Sequence, residues 1–521
     1  MLISLILVCV LLFLVIYYFT KRFNYFVIRH VPGPPISSII FGHLNVLLSV
    51  KSFSEQLRQW TKQYGHIYGI FEGTCPIYVV SDVEFIEEVL IKQFSRFHAR
   101  RATLVNRSLG KQFSNVLSAN IMQLWKKHRK ILNPAFSSAK MKRLLPTIEN
   151  CTKIFLERLS SLDNQSTINI YQIYKRLTMD VICQCAFSID TEVQYDFNNT
   201  NIYMKKIEEF FSFNFERTFL ARIHRILPWK QVAYVYSYLF RLKEFYLQNQ
   251  STSNSAQIWL LKNMNQFVQQ RFTKSQNAND FFQLMIDATR SDNEHLSSTQ
   301  VFSNAFIILI AGYETTSTAL AYCTYRLAKH QQIQQKLYEE IREHLSTDES
   351  FYDIIMHKLT YLDLFIKEVL RMHPIAIQVM NRQCTEDTYV KQVHIQQGTF
   401  IQIDVLSVHF NEQLWGPQPV DEFHPERYSI KRHPLAFMPF GGGPRTCIGM
   451  RFALSSSICD SFHFQMFIFV FLVEMKSCLA QLISKYKILP SFDQNIQLKT
   501  KEEIVIAPEQ IPIQLQKRSL D

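Results

Sequence analysis

Apolar residues recur along much of this chain at the spacing of amphipathic helices. The first stretches with this spacing are residues 54–64, 82–92, 138–160 and 170–186. Residues 68–71 and 77–80 instead show the pattern of short strands, and Gly73 lies between them. We therefore predict a small β-hairpin there, inside a chain that is otherwise mostly helical.

The longest helical pattern covers residues 303–330. Polar residues interrupt it at 311–317, which makes it too polar for a membrane span and predicts a central core helix. A further helix over 361–372 ends before Pro374, and two short strands follow between residues 390 and 403. We find no internal repeat. The fold class is therefore mainly α (α+β), with small antiparallel sheets.

The first segment of the chain has the length and composition of a transmembrane helix. Residues 2–19 contain no charge, and as a helix they would extend roughly 27 Å, close to the thickness of a bilayer core. Lys21, Arg22 and Arg29 follow, which places the rest of the chain in the cytosol. A cleaved signal peptide would need a basic leader and a small-residue cleavage site, and neither is visible.

Residues 31–35, Val-Pro-Gly-Pro-Pro, cannot continue the helix and form a stiff, extended segment. It can set the angle between anchor and body, although an ordinary linker would have the same sequence. The predicted division is a membrane anchor at 1–20, a basic, proline-rich linker at 21–35 and a single domain at 36–521.

Composition excludes several classes of protein. The 521 residues are 47% hydrophobic with 42 Phe, which is typical of a globular chain and not of a disordered one. The net charge of +12 fits an acidic partner or an anionic membrane, and no nucleic-acid-binding signature accompanies it. Ten Cys without zinc spacing indicate mostly buried thiols in a reducing compartment.

One cysteine stands in a different context from the others. Cys447 follows three consecutive glycines, Gly441 to Gly443, and Arg445, and an apolar helical stretch follows it. Glycines allow the backbone to turn tightly and to approach a flat ligand, and a helix start beside an arginine favours the thiolate. A thiolate is the ligand with which haem iron favours O–O cleavage. The alternative is a structural cysteine after a glycine loop.

The stretch resembles the haem-binding signature of cytochromes P-450, through Phe440, Gly443, Arg445, Cys447 and Gly449. The resemblance runs from Pro32 to about residue 489 and is strongest to the branch of drug- and steroid-oxidising enzymes near thromboxane synthase. It implies the cytochrome P-450 fold and haem b (iron protoporphyrin IX), with Cys447 as the axial ligand. For the microsomal type it also implies the endoplasmic reticulum membrane.

Two further motifs gain meaning beside this resemblance. Glu368 and Arg371 are three positions apart on a helix, which alone would indicate a surface ion pair. The family pattern places them with Arg427 in a buried structural network. Glu314 and Thr315 match the family's acid–alcohol pair, which relays protons through water. Without the resemblance they would equally well be polar residues that distort a buried helix.

Side chains at four further places are candidates for binding the haem propionates. Trp125 and Arg129 share a helical face as they do in the family's helix C, and Arg445 and Arg382 match by position. Either Arg100 or Arg101 is a weaker candidate. Gly312 would leave room for cofactor or substrate against the core helix.

The chain departs from the family pattern after Leu454, where the family's helix runs on directly. Residues 455–472, with five Phe and a serine-rich start, separate Leu454 from the apparent continuation at 473–479. Eighteen residues are about five helical turns, so the register of the helix would be kept. Our hypothesis is a translated intron or gene-model error, and the alternative is a genuine hydrophobic insertion.

The resemblance implies a monooxygenase that inserts one atom of O₂ into an apolar xenobiotic, steroid or lipid. Electrons would come from NADPH through a flavoprotein reductase, with cytochrome b5 as a second donor; the chain has no GxGxxG fingerprint of its own. Lys126, Lys127 and Lys130 are candidates for reductase binding. The alternatives are a haem-thiolate isomerase, a haem sensor, or a non-catalytic product if residues 455–472 are real.

Overall fold

The computed structural model describes most of the chain. The described residues are 2–101, 113–162, 167–196, 200–212, 222–223, 235, 238, 256–273, 280–289, 296–448, 470–491 and 498–518.

Helices account for most of the described residues. They are α1 Leu2–Val27, α2 Leu44–Ser49, α3 Phe53–Tyr64, α4 Val83–Glu87, α5 Met122–Leu132, α6 Ser138–Ser161, α7 Ile170–Phe187, α8 Ile202–Ser212, α9 Ala256–Thr273, α10 Phe281–Asp287, α11 Ser298–Lys329, α12 Gln331–Leu345, α13 Phe351–Asp353, α14 Thr360–Met372, α15 Val405–His409, α16 Glu412–Trp415 and α17 Val470–Lys485. Short π turns follow α4 at Glu88–Lys92 and α13 at Ile354–Lys358, and 3₁₀ turns lie at Asn133–Phe136, Val193–Tyr195, Ile377–Val379, Pro425–Ser429 and Gly443–Arg445.

The strands in the described part of the chain form four small sheets. They are β1 Ile67–Glu72, β2 Cys75–Val80, β3 Ile168–Asn169, β4 Asn381–Gln383, β5 Thr388–Val390, β6 Val393–Ile395, β7 Phe400–Ile403, β8 Tyr486–Pro490, β9 Thr500–Glu502, β10 Ile506–Pro508 and β11 Pro512–Lys517. The largest sheet has the order β1-β2-β7-β4, with β2 and β7 parallel and its other pairs antiparallel. The other sheets, β3-β11-β8, β5-β6 and β9-β10, are antiparallel throughout.

Helix α11 is the predicted core helix. Ser297 and Gln300 cap its start reciprocally, and most of its side chains are buried against α7 and the helices around it. By length and hydropathy α11 would be long and apolar enough to cross a membrane, but 72% of its most apolar window is buried within the protein. It is therefore an interior helix, as the sequence predicts.

The polar residues at 311–317 do not break α11, although the sequence pattern is interrupted there. The hydroxyl of Thr315 donates to the carbonyl of Ala311 at 2.6 Å, and that of Ser317 donates to the carbonyl of Tyr313 at 2.9 Å. Because these hydroxyls bond back onto the helix itself, they are satisfied without a change of secondary structure.

The N-terminal helix continues beyond the predicted end of the anchor at residue 20 and ends at Val27. Its last turns pack on the large sheet, where the ring of Phe26 contacts Phe71 and Tyr78 with centroids 5.0 and 5.1 Å away. A Cβ on Gly69 of β1 would lie 2.4 Å from the Phe26 ring. The end of α1 is thus part of the folded body, and the proline-rich segment begins after it.

Candidate functional site

Cys447 is held at the end of a closed loop. The backbone N–H of Cys447 donates to the carbonyl of Phe440 at 2.9 Å. Gly441 and Gly443 have φ angles of 88° and 67°, which favour glycine, and a Cβ on Gly443 would lie 2.1 Å from the Leu90 carbonyl oxygen. The loop leaves the Cys447 side chain exposed, in contrast to most other thiols described. Gly449 lies outside the described residues.

Four arginines converge near this loop: Arg100, Arg129, Arg382 and Arg445. Burial first, and then the positive charges of Arg100 and Arg129, lower the pKa of Arg445 to about 8. The pKa of Arg382 is likewise held well below its usual value, by burial and then by Arg100 and Arg445. Like charges buried together are unfavourable unless an anion neutralises them.

The arginines also retain donors without acceptors. Nε and Nη2 of Arg382, Nε and Nη1 of Arg445 and Nε of Arg100 are buried and make no hydrogen bond within the described part of the chain. Arg129 donates to the Thr446 carbonyl at 2.9 Å, and Arg100 to the Arg445 carbonyl at 3.2 Å. The cluster therefore fits a ligand that brings more than one anionic oxygen.

Trp125 and Arg129 come to this cluster from one face of α5. The guanidinium carbon of Arg445 lies 5.2 Å from the centroid of the buried Trp125 ring. Next on the helix, buried His128 contacts Asn304 of α11 at 3.0 Å, which fixes the position of α5. Of the two weaker candidates, Arg100 joins the cluster, whereas Arg101 forms an ion pair with Glu72.

Glu368, Arg371 and Arg427 form one network with no exposed side-chain surface. Arg371 donates from Nε to Oε2 of Glu368 and from Nη2 to Oε1, both at 2.8 Å, and Arg427 Nε donates to Oε1 at 2.8 Å. Their remaining N–H groups donate to backbone carbonyls, including those of His409 and Trp415. The three charges therefore brace the chain segments that precede the Cys447 loop.

His409 connects this network to the loop, and sequence reasoning missed it. Its Nε2 accepts the backbone N–H of Met438 at 2.9 Å, so Nδ1 carries the proton and donates to the Arg371 carbonyl at 3.0 Å. Burial lowers the pKa of His409 to about 3. A lone histidine carries no sequence signal for this role, because its partners are 38 and 29 positions away.

Glu314 and Thr315 are adjacent on α11 but have different neighbours. Oε1 of Glu314 accepts a hydrogen bond from the Tyr171 hydroxyl at 2.6 Å, and Lys175 Nζ lies 3.7 Å from the same oxygen. Thr315 instead bonds to the carbonyl of Ala311, an exposed residue of the helix. Tyr171 and Lys175, both on α7, had no signal in the sequence.

The interpretation of Gly312 as space for a cofactor or substrate is wrong. A Cβ at this position would lie 2.6 Å from Cδ1 of Ile182 on α7. The small residue therefore permits close packing of α7 against α11.

A family model described as Cytochrome P450 matches residues 32–458, so this chain belongs to the cytochrome P450 family, whose members are generally haem-thiolate monooxygenases. The chain is 29% identical to a putative cytochrome P450 CYP13A3 of Caenorhabditis elegans, over 99% of each chain. It is also 29% identical to cytochrome P450 3A2 of Rattus norvegicus, over 94% of this chain and 92% of the other. Cytochrome P450 3A31 of Mesocricetus auratus is 28% identical, over 94% and 91%.

The residues present fit the group that this family uses, a haem with a cysteine thiolate ligand. The cofactor carries two propionates, which match the donors and the positive charge of the arginine cluster. The exposed sulfur of Cys447 is the matching feature for the iron.

Proposed function

We propose that this protein is a haem-thiolate monooxygenase acting on an apolar organic substrate, a xenobiotic, steroid or lipid. The overall change takes substrate, O₂, NADPH and a proton to oxygenated substrate, water and NADP⁺. The observation that carries the proposal is the exposed Cys447 beside a cluster of four arginines, in which Arg100, Arg382 and Arg445 keep buried donors without acceptors in the described part of the chain.

Each site residue has a distinct role in this proposal. Cys447 is the axial ligand, and Trp125, Arg129, Arg382 and Arg445 hold the propionates together with Arg100. Phe440, Gly443 and Gly449 shape the loop, and the network of Glu368, Arg371 and Arg427 keeps it in place. When bound, the cofactor supplies the oxygen-activating chemistry.

Glu314 and Thr315 would deliver protons to the site. Thr315 holds a hydroxyl on the side of α11 where Ala311 is exposed. Glu314 holds a buried carboxylate on the neighbouring side of the helix. An acid and an alcohol one residue apart can pass a proton through water between them.

Electrons would come from an NADPH-dependent flavoprotein reductase, with cytochrome b5 as a second donor. Lys126, Lys127 and Lys130 lie on α5, the helix that carries Trp125 and Arg129 to the arginine cluster. A basic surface this close to the site is suited to an acidic redox partner.

The proposed location is the endoplasmic reticulum membrane, with the body in the cytosol. Residues 1–20 would be the anchor and 36–521 the catalytic domain; of the basic, proline-rich linker at 21–35, the residues as far as Val27 continue helix α1. The apolar N-terminal helix and the basic residues after it support this arrangement.

Residues 455–472 remain, in this proposal, a translated intron or gene-model error. The family match ends at residue 458, inside this segment. Sequencing the transcript tests the idea: a main spliced message that retains the segment contradicts it. The segment itself lies outside the described residues as far as 469.

The experiment that tests the function is a carbon monoxide difference spectrum of the reduced full chain, followed by turnover with reductase and NADPH. We expect the red-shifted Soret band typical of thiolate ligation and NADPH-dependent oxygenation of an apolar probe such as testosterone or lauric acid. Cys447→Ala should abolish the band, whereas the control Cys75→Ala in β2 should keep it. A band that persists in Cys447→Ala refutes the ligand assignment. A normal band without turnover instead favours an isomerase or sensor.

A further inference from the structure

The side chain of Glu314 is tethered on one side only. It is 4% exposed, and its Oε1 accepts the Tyr171 hydroxyl at 2.6 Å, with Lys175 Nζ 3.7 Å away. Oε2 is buried and has no hydrogen-bond partner within the described residues. One carboxylate oxygen is therefore fixed by α7, while the other is open to an exchangeable partner such as water.

The position of Tyr171 is set by the packing of two helices. Tyr171 is 3% exposed in the first turn of α7, and its hydroxyl also lies 3.1 Å from Oγ1 of Thr318 on α11. The helices are in close contact because Gly312 faces Ile182. Burial raises the pKa of Tyr171 far above its ordinary value, and the charge of Glu314 raises it further, so the phenol stays a donor.

Lys175 lies one helical turn further along α7 and reaches towards the surface. Its side chain is 12% exposed, and its ammonium lies 4.7 Å from the centroid of the Tyr171 ring. The buried carboxylate is thereby joined to the edge of solvent by a single side chain.

We propose that Tyr171 is a positioning residue for proton delivery, which holds one oxygen of Glu314 against α7 while Lys175 connects the carboxylate to solvent. The inference rests on the proposed function, in which Glu314 and Thr315 deliver protons. Lys175 passes a proton to the Glu314 carboxylate and takes up another from water. The carboxyl group then releases a proton through water towards Thr315. No electron moves in this step, and afterwards Glu314 is again a carboxylate beside the Lys175 ammonium.

The test compares two buried tyrosines on the same helix. Tyr171→Phe removes the hydroxyl that contacts Glu314, and Tyr174→Phe removes one that contacts Thr324 of α11 at 2.7 Å. Both variants lose a buried hydroxyl that bonds α7 to α11, with two partners for Tyr171 and one for Tyr174, so a purely structural effect should appear in both. Lys175→Met removes the connection to solvent, and Glu314→Gln identifies the carboxylate in infrared spectra.

The first readout does not depend on turnover. We expect the infrared band that Glu314→Gln abolishes to shift in Tyr171→Phe and in Lys175→Met, and to stay unchanged in Tyr174→Phe. A band that does not move in Tyr171→Phe overturns the proposed tether.

The second readout uses the reconstituted enzyme with reductase, NADPH and testosterone or lauric acid. Tyr171→Phe should lower the product formed per NADPH consumed about tenfold and enlarge the solvent isotope effect. Its carbon monoxide spectrum and melting temperature should match those of Tyr174→Phe. Equal uncoupling in both variants overturns the positioning role. If the native protein oxygenates no substrate, the proposed function fails, and the infrared result still decides the tether.

Discussion

The buried arginines of this protein differ in how many of their guanidinium N–H groups have a hydrogen-bond acceptor. Arg371 and Arg427 direct theirs to Glu368 and to backbone carbonyls. Arg382 and Arg445 leave buried N–H groups without an acceptor among the described residues. A buried charge with all its partners holds the fold together, whereas one that lacks them calls for a ligand of opposite charge.

At the same scale, His409 should make the protein sensitive to acid. Its pKa is lowered from 6.5 to about 3 by burial, so the unfolded chain binds this proton first as the pH falls. The stability that the neutral ring contributes is therefore complete above pH 6.5 and decreases below it. Between pH 7 and pH 5 the loss should be about 2 kcal/mol.

His409→Gln should remove this part of the pH dependence, even though the variant is less stable at pH 7. Denaturant unfolding at a series of pH values measures it, with His394→Gln in the β5–β6 hairpin as the control. An unchanged pH dependence in His409→Gln would contradict the assignment.

At the scale of elements, local patterns predicted most of the helices well. The patterns at 54–64, 138–160 and 170–186 correspond to α3, α6 and α7, and the hairpin corresponds to β1 and β2. The pattern at 82–92 became α4 and a π turn. Strand β3 could not be predicted, because its two residues pair with β11 far along the chain.

Helix α17 allows the unusual segment 455–472 to be tested by deletion. The ring of Phe471 lies 5.2 Å from that of Phe440, so the start of α17 is beside the Cys447 loop. Deleting residues 455–472 would bring 452–454, Phe-Ala-Leu, to the positions of 470–472, Val-Phe-Leu, in the same helical register. We expect this variant to retain more haem than the full chain.

The control is a deletion of residues 455–471, which is one residue shorter and rotates the upstream helix by about 100°. Haem content per protein, measured from the carbon monoxide spectrum, distinguishes the three forms. Full haem content in the undeleted chain and a loss in the 18-residue deletion would show that the segment belongs to the protein.

At the scale of the whole molecule, part of the net charge of +12 lies on the surface next to the candidate site. Lys126 and Lys130 are exposed on α5, the helix that also supplies Trp125 and Arg129 to the site. A partner that binds there would be close to the electron acceptor.

Reversing these charges should weaken reductase binding. Lys126→Glu with Lys130→Glu should raise the KM for reductase several-fold at low ionic strength, and less at high salt, because salt screens exposed charges. The control Lys153→Glu, on exposed α6 surface, should leave it unchanged. Steady-state titration with reductase measures the effect. A similar change of KM in the double variant and in the Lys153→Glu control would exclude α5 as the docking surface.

The sequence by itself determined the helix-rich class, the core helix and the glycine loop that leads to Cys447, because each depends on residues close together in the chain. Tertiary structure alone decided which distant side chains meet. Tyr171 and Glu314 are 143 positions apart, and no local spacing encodes their hydrogen bond. It also gave Gly312 a packing role, since the space around a glycine depends on the neighbouring helix. Contacts between elements follow from how whole helices pack, and a sequence pattern records only the face that each helix buries.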